Sequence, residues 1–296
     1  MPSEGPVLTL LGVARRNAEV DPIVAVRVIE GDARELPGVA PGSVHLVVTS
    51  PPYPMIPQWD ALFQRLGARD YDAMHAVLTS VWRRCREVLV PGGLLAVNIG
   101  DALRTIDGEF RLWPNHARVI EACAGLGYTP LPYVLWKKPT NRPNAYLGSG
   151  FLPPNAYVTL DCEYVLLFRK GPPRRYPPHD PDRTASRYSR ADRDVWFSQV
   201  WTGVTGARQG PDGNRTSAFP AELPRRLVRM FSVVGETVLD PFAGTGTTLF
   251  AAAEEGREAI GVELDPVRAE ALSRRAAAWN RLAAARAPRA PRRRRA

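Results

Sequence analysis

Histidine and cysteine are scarce in this sequence, four of one and three of the other, and neither recurs at a metal-ligating spacing. No CxxC or HExxH pattern occurs, so no metal site is predicted, and Cys85, Cys123 and Cys162 are expected to be reduced, small core residues. Long apolar runs are missing as well. Nothing approaches the roughly 18 residues that span a bilayer, and the run Val7–Val13 lacks the preceding positive charge of a secretory signal. These absences exclude metalloenzyme, disulfide-framework and membrane-protein classes and place the chain in the cytoplasm.

Acidic residues are outnumbered, 30 against 39 Lys and Arg, for a net charge of +9. Seven arginines fall in the acid-free stretch 281–296, which leaves +2 for everything before it. A milder basic stretch runs from Arg169 to Arg215, with ten Lys or Arg against five Asp. Charge placed this way suits a polyanionic partner met at particular segments. The Ala, Pro and Arg composition of 281–296 reads as a basic disordered tail, either simply solvated or a DNA-contacting arm.

With 45% hydrophobic residues over 296 positions the chain can bury a full core. Short β-branched runs alternate with helical patterns, which predicts an α/β fold with a mostly parallel sheet. Seven strands are expected: Val26–Ile29, Val44–Thr49, Leu94–Ile99, Tyr133–Lys137, Tyr164–Phe168, Thr237–Leu239 and Glu258–Val262. A helix is expected from about Tyr71 to Leu89, ending in a Val90-Pro91-Gly92-Gly93 turn, and another from about Asn115 to Leu126. No helical pattern separates Tyr133–Lys137 from Tyr164–Phe168, so these two should pair antiparallel at a sheet edge. Between Gly171 and Ser217 periodicity gives way to Pro, Arg, Asp and aromatics, which predicts an insertion that meets the substrate.

The sharpest local pattern is Glu236-Thr-Val-Leu-Asp-Pro-Phe-Ala-Gly-Thr-Gly-Thr-Thr248, a strand, a glycine turn and the start of a helix. Gly244 and Gly246 let backbone approach a ligand where a β-carbon would clash. Glu263 ends the next strand, where a carboxylate can accept from both ribose hydroxyls of an adenosine cofactor. The opening Asp240-Pro241-Phe242 and the leucine at 249 disfavour a nicotinamide dinucleotide, and no lysine follows Gly246 to make a phosphate loop.

The second pattern is Val47-Val48-Thr49-Ser50-Pro51-Pro52-Tyr53-Pro54, a buried strand running into a rigid turn. Prolines remove donors, so the turn presents acceptors and an aromatic face. Ser50 Oγ and the Pro51 carbonyl can accept from an NH2 group while Tyr53 stacks on the ring that bears it.

Together, Thr-Ser-Pro-Pro-Tyr (49–53) and Asp-Pro-Phe-Ala-Gly-Thr-Gly (240–246) resemble the amino-methyltransferases of bacterial restriction-modification systems. The catalytic loop precedes the cofactor loop, as in the β group of that family, and the likeness covers most of residues 25–275. The resemblance implies a Rossmann-like methyltransferase fold, with a seven-stranded sheet, circularly permuted motif order and an inserted target-recognition region. It divides the chain into an N-terminal extension (1–24), a substrate-side half (25–170), the target-recognition insertion (171–217), a cofactor-binding half (218–280) and the tail (281–296). S-adenosylmethionine is the implied cofactor, held by Asp32, Phe219, Asp240, Pro241, Phe242, Gly244, Thr245, Gly246 and Glu263. Ser50, Pro51, Pro52 and Tyr53 form the implied catalytic loop. Leu135-Trp136-Lys137-Lys138-Pro139 and Glu163–Phe168 resemble the family's late substrate-side motifs.

Double-stranded DNA is the implied substrate, with a homodimer and a cognate restriction endonuclease as further partners. Transfer would run in line from the sulfonium methyl to the amine of a flipped base, with no covalent base adduct. Serine at position 50, where adenine enzymes usually carry Asp or Asn, points to the N4 amine of cytosine, with the N6 amine of adenine as the alternative. RNA or protein amine methylation fits the motif order less well, and a non-catalytic DNA-binding module would leave both loops unused.

Overall fold

The computed structural model describes residues 24–138, 158–205 and 219–286. The extension up to residue 23, Pro139 of the Trp-Lys-Lys-Pro motif, 206–217 of the insertion and 287–296 of the tail lie outside the described residues.

The chain opens with β1 (Val26–Glu30), β2 (Val44–Thr49), a 3-10 turn (Pro57–Trp59), α1 (Asp60–Arg65), α2 (Tyr71–Val88) and β3 (Leu89–Ile99). A hairpin of β4 (Ala102–Ile106) and β5 (Glu109–Trp113) follows, then α3 (Asn115–Gly125), β6 (Thr129–Lys137) and β7 (Cys162–Arg169). Beyond them come α4 (Pro181–Ala185), α5 (Arg190–Trp196), β8 (Val200–Trp201), α6 (Glu222–Phe231), β9 (Thr237–Asp240), α7 (Thr247–Glu254), β10 (Glu258–Glu263) and α8 (Pro266–Arg286).

The main sheet runs β1-β10-β9-β2-β3-β7-β6-β8. Neighbours are parallel except β3 with β7 and β7 with β6, so the antiparallel pairing expected for β6 and β7 is present. Alternate residues of each strand feed two cores. Leu94, Ala96, Val165 and Leu167 face Leu223, Leu227, Leu249 and Leu272 from α6, α7 and α8. Leu95, Val97, Leu166 and Phe168 face Leu78, Val81, Trp82, Val119 and Cys123 from α2 and α3. Each fully buried large side chain contributes about 1.5–3 kcal/mol, so the two faces together fix the register. Asp70 begins α2 by accepting from the Ala73 amide, which satisfies a helix-end donor.

Several expectations need correction. The sheet has eight strands, because β8 adds to the β6 edge with Val200 opposite Leu135. Val90-Pro91-Gly92-Gly93 is a bulged part of β3 rather than a free turn: Val44 pairs with Leu89, and Leu46 with Leu94. The hairpin at 102–113 was not expected, although its Asp107-Gly108 tip, with φ of 52° and 81°, is a favoured two-residue turn. The last helix extends past Asn280 to Arg286, and its Ala283 is buried.

The first part of the 171–217 segment packs on the main domain, and β8 then returns the chain to the carboxyl end of β6. Arg174 and Tyr176 bind Glu236, and Ser186 accepts from the Val234 amide, both just ahead of β9. These contacts lie at the amino-terminal end of the parallel strands, opposite the end where ligands bind open α/β sheets. Packing explains the aromatics there: Trp196 lies under Arg229 of α6, and Phe197 meets Phe231. Residues 171–201 are thus integral to the main domain.

Candidate active site

Adjacent strands β2 and β9 deliver the two loops side by side. β2 ends in Thr49 and β9 in Asp240, and Thr49 Oγ1 donates a 2.7 Å hydrogen bond to Asp240 Oδ1. The Phe242 amide donates to the same oxygen at 3.1 Å. Asp240 is 3% exposed. Burial pushes its carboxyl up to about 6 against the opposing bonds from Thr49, Thr248 and Phe242. Asp240, expected among the cofactor contacts, therefore holds the two loops together.

Gly244 and Gly246 have different tasks. Both have positive φ, 51° and 82°. A β-carbon on Gly246 would stand 2.4 Å from Leu272 Cδ1 and 3.0 Å from Phe250 Cε2, so protein packing excludes one there. A β-carbon on Gly244 would enter open space, its nearest neighbour the Phe242 carbonyl at 3.8 Å. That open space is what a cofactor needs. Glu263 Oε2 accepts from the Gly244 amide at 2.8 Å and Oε1 from the Asp265 amide at 3.0 Å, which orients the carboxylate at the end of β10 and leaves each oxygen a lone pair. The first amides of α7 have no side-chain cap and favour an anionic group. These features fit a nucleoside cofactor with a ribose diol and a carboxylate.

The other expected cofactor residues are spread around this loop. Asp32 lies just past β1, whose Glu30 is in register with Glu263 of β10. Its carboxylate binds Arg34 at 2.6 Å, and although burial raises its pKa, those bonds hold it below the ordinary value. Thr245 is exposed and Pro241 is buried. Phe242 packs edge-on to Trp82, and Phe219 sits in the core beside α6.

At the catalytic loop the structure adds residues that the sequence reading did not assign. Ser50 Oγ lies 3.1 Å from Tyr53 OH. Tyr53 OH donates to Glu163 Oε2 at 3.0 Å, and Asn98 Nδ2 donates to Tyr53 OH at 2.8 Å and to Glu163 Oε2 at 2.7 Å. Lys138 closes the group with an ion pair to Glu163. Burial and the Glu163 charge push the Tyr53 phenol well above its usual value, so it is a neutral hydroxyl. One face of its ring lies on Gly100, where a β-carbon would be 3.1 Å from Cε2. Asn98 was legible as the one polar residue in the apolar run Leu94–Ile99.

A second brace fixes the backbone of the turn. Buried Asn115 donates to the Pro54 and Gly100 carbonyls, both at 3.0 Å, and His75 Nε2 lies 3.1 Å from its Oδ1. Burial pushes His75 down to about 4, so it is neutral and donates through Nε2. Pro51 and Pro52 are buried and Ser50 is half-buried, so the loop presents its serine.

A mostly parallel sheet covered on both faces, with a glycine loop and an acceptor-rich Ser-Pro-Pro-Tyr loop at the carboxyl ends of adjacent strands, defines a Rossmann-like methyltransferase. Residues 44–274 match the DNA methylase family of N6 and N4 methyltransferases, and the chain belongs to it. Enzymes of this family take their methyl group from S-adenosylmethionine. The type II methyltransferase M.MjaI of Methanocaldococcus jannaschii is 52% identical over 81% of this chain and 87% of its own length. M.MthZI of Methanothermobacter thermautotrophicus is 46% identical over 75% and 68%. Among solved structures, a Thermus thermophilus protein described as a DNA modification methylase, complexed with S-adenosyl-L-methionine, superposes with a TM-score of 0.70. It is 40% identical, covering 86% of this chain and 96% of that one.

Proposed function

We propose that this protein is a type II DNA methyltransferase that transfers the methyl group of S-adenosylmethionine to the N4 amine of cytosine. The observation that carries the reading is the state of Ser50. Its partner Tyr53 gives its only proton to Glu163, so within their pair the serine hydroxyl is the donor and its lone pairs stay free to accept. A short neutral acceptor suits an amine beside an unprotonated ring nitrogen. The amine's lone pair is delocalised into the ring, and acceptance of its hydrogens by Ser50 Oγ and the Pro51 carbonyl stabilises the charge that develops on nitrogen.

S-adenosylmethionine supplies the methyl group, and Glu263, the backbone at Gly244 and the first turn of α7 would hold it. The half-buried Tyr53 ring receives the flipped base and offsets part of an unstacking cost of a few kcal/mol. Adenine N6 is the second reading, because its amine makes the same demands on the loop. Plasmid DNA treated with the purified enzyme and digested to nucleosides decides between them by mass spectrometry. N4-methyldeoxycytidine is expected, and methyl label confined to deoxyadenosine overturns the cytosine assignment. A homodimer and a companion endonuclease belong to the same proposal, and sedimentation of the enzyme tests the first.

A further inference from the structure

We propose that Ser50, Tyr53 and Glu163 form a proton relay that carries the surplus proton away from the methylated amine, with Glu163 as its terminal acceptor. The proposal rests on the reading above that an amine is methylated at Ser50; it holds for either base.

The need for a relay follows from the chemistry. When the nitrogen lone pair forms its bond to the arriving methyl carbon, the nitrogen becomes cationic and must lose a proton. Ser50 Oγ is a poor resting place, since a protonated serine is strongly acidic and the loop is rich in proline rather than water-binding donors. The contacts of Ser50 and Tyr53 give the proton a way out. It passes from nitrogen to Ser50 Oγ as the serine proton passes to Tyr53 OH, 3.1 Å away. The tyrosine proton passes in turn to Glu163 Oε2, 3.0 Å away. The neutral amine, serine and tyrosine are restored, and the carboxylate becomes a carboxylic acid that then releases its proton to solvent. Charge and atoms balance without any further reagent.

The orientation of the relay is fixed before substrate arrives. Asn98 is 2% exposed, and its amide group donates to both Tyr53 and Glu163, so neither can turn its acceptor elsewhere. An ionised carboxylate only accepts, which obliges Tyr53 to donate to it and Ser50 to donate to Tyr53. Among the described residues, the groups that face Glu163 are Tyr53 from the loop after β2, Asn98 from β3 and Lys138 just beyond β6. Lys138 is the single cation among these groups, and it forms an ion pair with Glu163. Tyr53 thus has two tasks, a ring for the base and a hydroxyl for the proton, and Glu163 acts only through it.

Single-turnover methylation by the full-length enzyme tests the relay with Glu163→Gln, Tyr53→Phe and the double variant. Each single change should slow the methyl-transfer step by roughly a hundredfold, the scale of general acid–base assistance. The double variant should be no slower than the worse single, because a broken relay cannot be broken twice. In D2O the methyl-transfer step of the unaltered enzyme should slow, because protons move with it along the relay, and Glu163→Gln should lose that slowing. Cofactor affinity by calorimetry, and base entry by 2-aminopurine fluorescence, should stay within about threefold of the unaltered enzyme for Glu163→Gln. Additive losses with an unchanged solvent isotope effect, or a Glu163→Gln enzyme at full speed, would overturn the relay alone. An unaltered enzyme that binds cofactor yet methylates no DNA amine would instead remove the functional reading on which it stands.

Discussion

Thr49 and Asp240 are 191 positions apart, and the hydrogen bond between them is the point at which the substrate strand and the cofactor strand are locked in register. Because Asp240 is buried, its ionisation is tied to folding. Its pKa rises from 3.8 unfolded to about 6 folded, so the folded state holds the proton more tightly than the unfolded chain. This group's contribution to stability therefore falls as pH rises through that window. Urea unfolding at pH 4.5 and pH 7 should show Asp240→Asn becoming about 2 kcal/mol more favourable relative to the unaltered protein at the higher pH. A constant difference at both pH values would refute the buried titration.

The two glycines of the cofactor loop should separate under substitution. Gly246→Ala forces a β-carbon against Leu272 and should lower stability by about 1–3 kcal/mol through overpacking and left-handed strain. Gly244→Ala meets only open space, so it should cost less stability and more affinity for S-adenosylmethionine. Thermal melting with calorimetric titration of both variants checks this, and equal losses in both measurements would refute the distinction.

Asn115 should matter to catalysis without touching substrate. Asn115→Leu keeps the volume but leaves the Pro54 and Gly100 carbonyls and His75 without their partner, a loss of about 2–4 kcal/mol in melting experiments. Methylation should fall more than about tenfold, as expected when a reacting group is misplaced. Cofactor affinity should hold, since the brace lies on the substrate side. A variant with unaltered turnover would show that the loop keeps its place by other means.

Truncation should distinguish the last helix from the basic tail. Asn280 pairs with both backbone groups of Val26, at 2.9 Å each, and the helix continues to Arg286. Removing 287–296 takes away five of the seven arginines counted from 281, and should flatten the salt dependence of DNA binding while the melting temperature and methylated sequence stay fixed. Cutting after Asn280 should also lower the melting temperature. A changed target sequence in the shorter truncation would make the tail a reader of bases.

The sequence by itself determined seven strands of the main sheet, the two loops and their order. Each of these rests on a local cause: β-branched runs make strands, the Gly244–Gly246 pair makes the turn, and two prolines after Ser50 make a loop of acceptors. Glu263 was legible for the same reason, as an acid at the end of the strand after the glycine loop. Tertiary structure alone decided what those residues bind. Asp240 turned inward to Thr49 because β2 and β9 are neighbours in the sheet, an adjacency that no local pattern encodes. Glu163 and Asn98 meet Tyr53 because β7 runs antiparallel to β3, which brings the start of one strand to the end of the other. The same geometry carried residues 171–186 to the far end of the sheet: β7 delivers the chain there, and Trp196 and Phe197 pack against α6 before the chain returns to β8. Residue type could suggest a substrate contact, but strand direction decided which end of the molecule it reached.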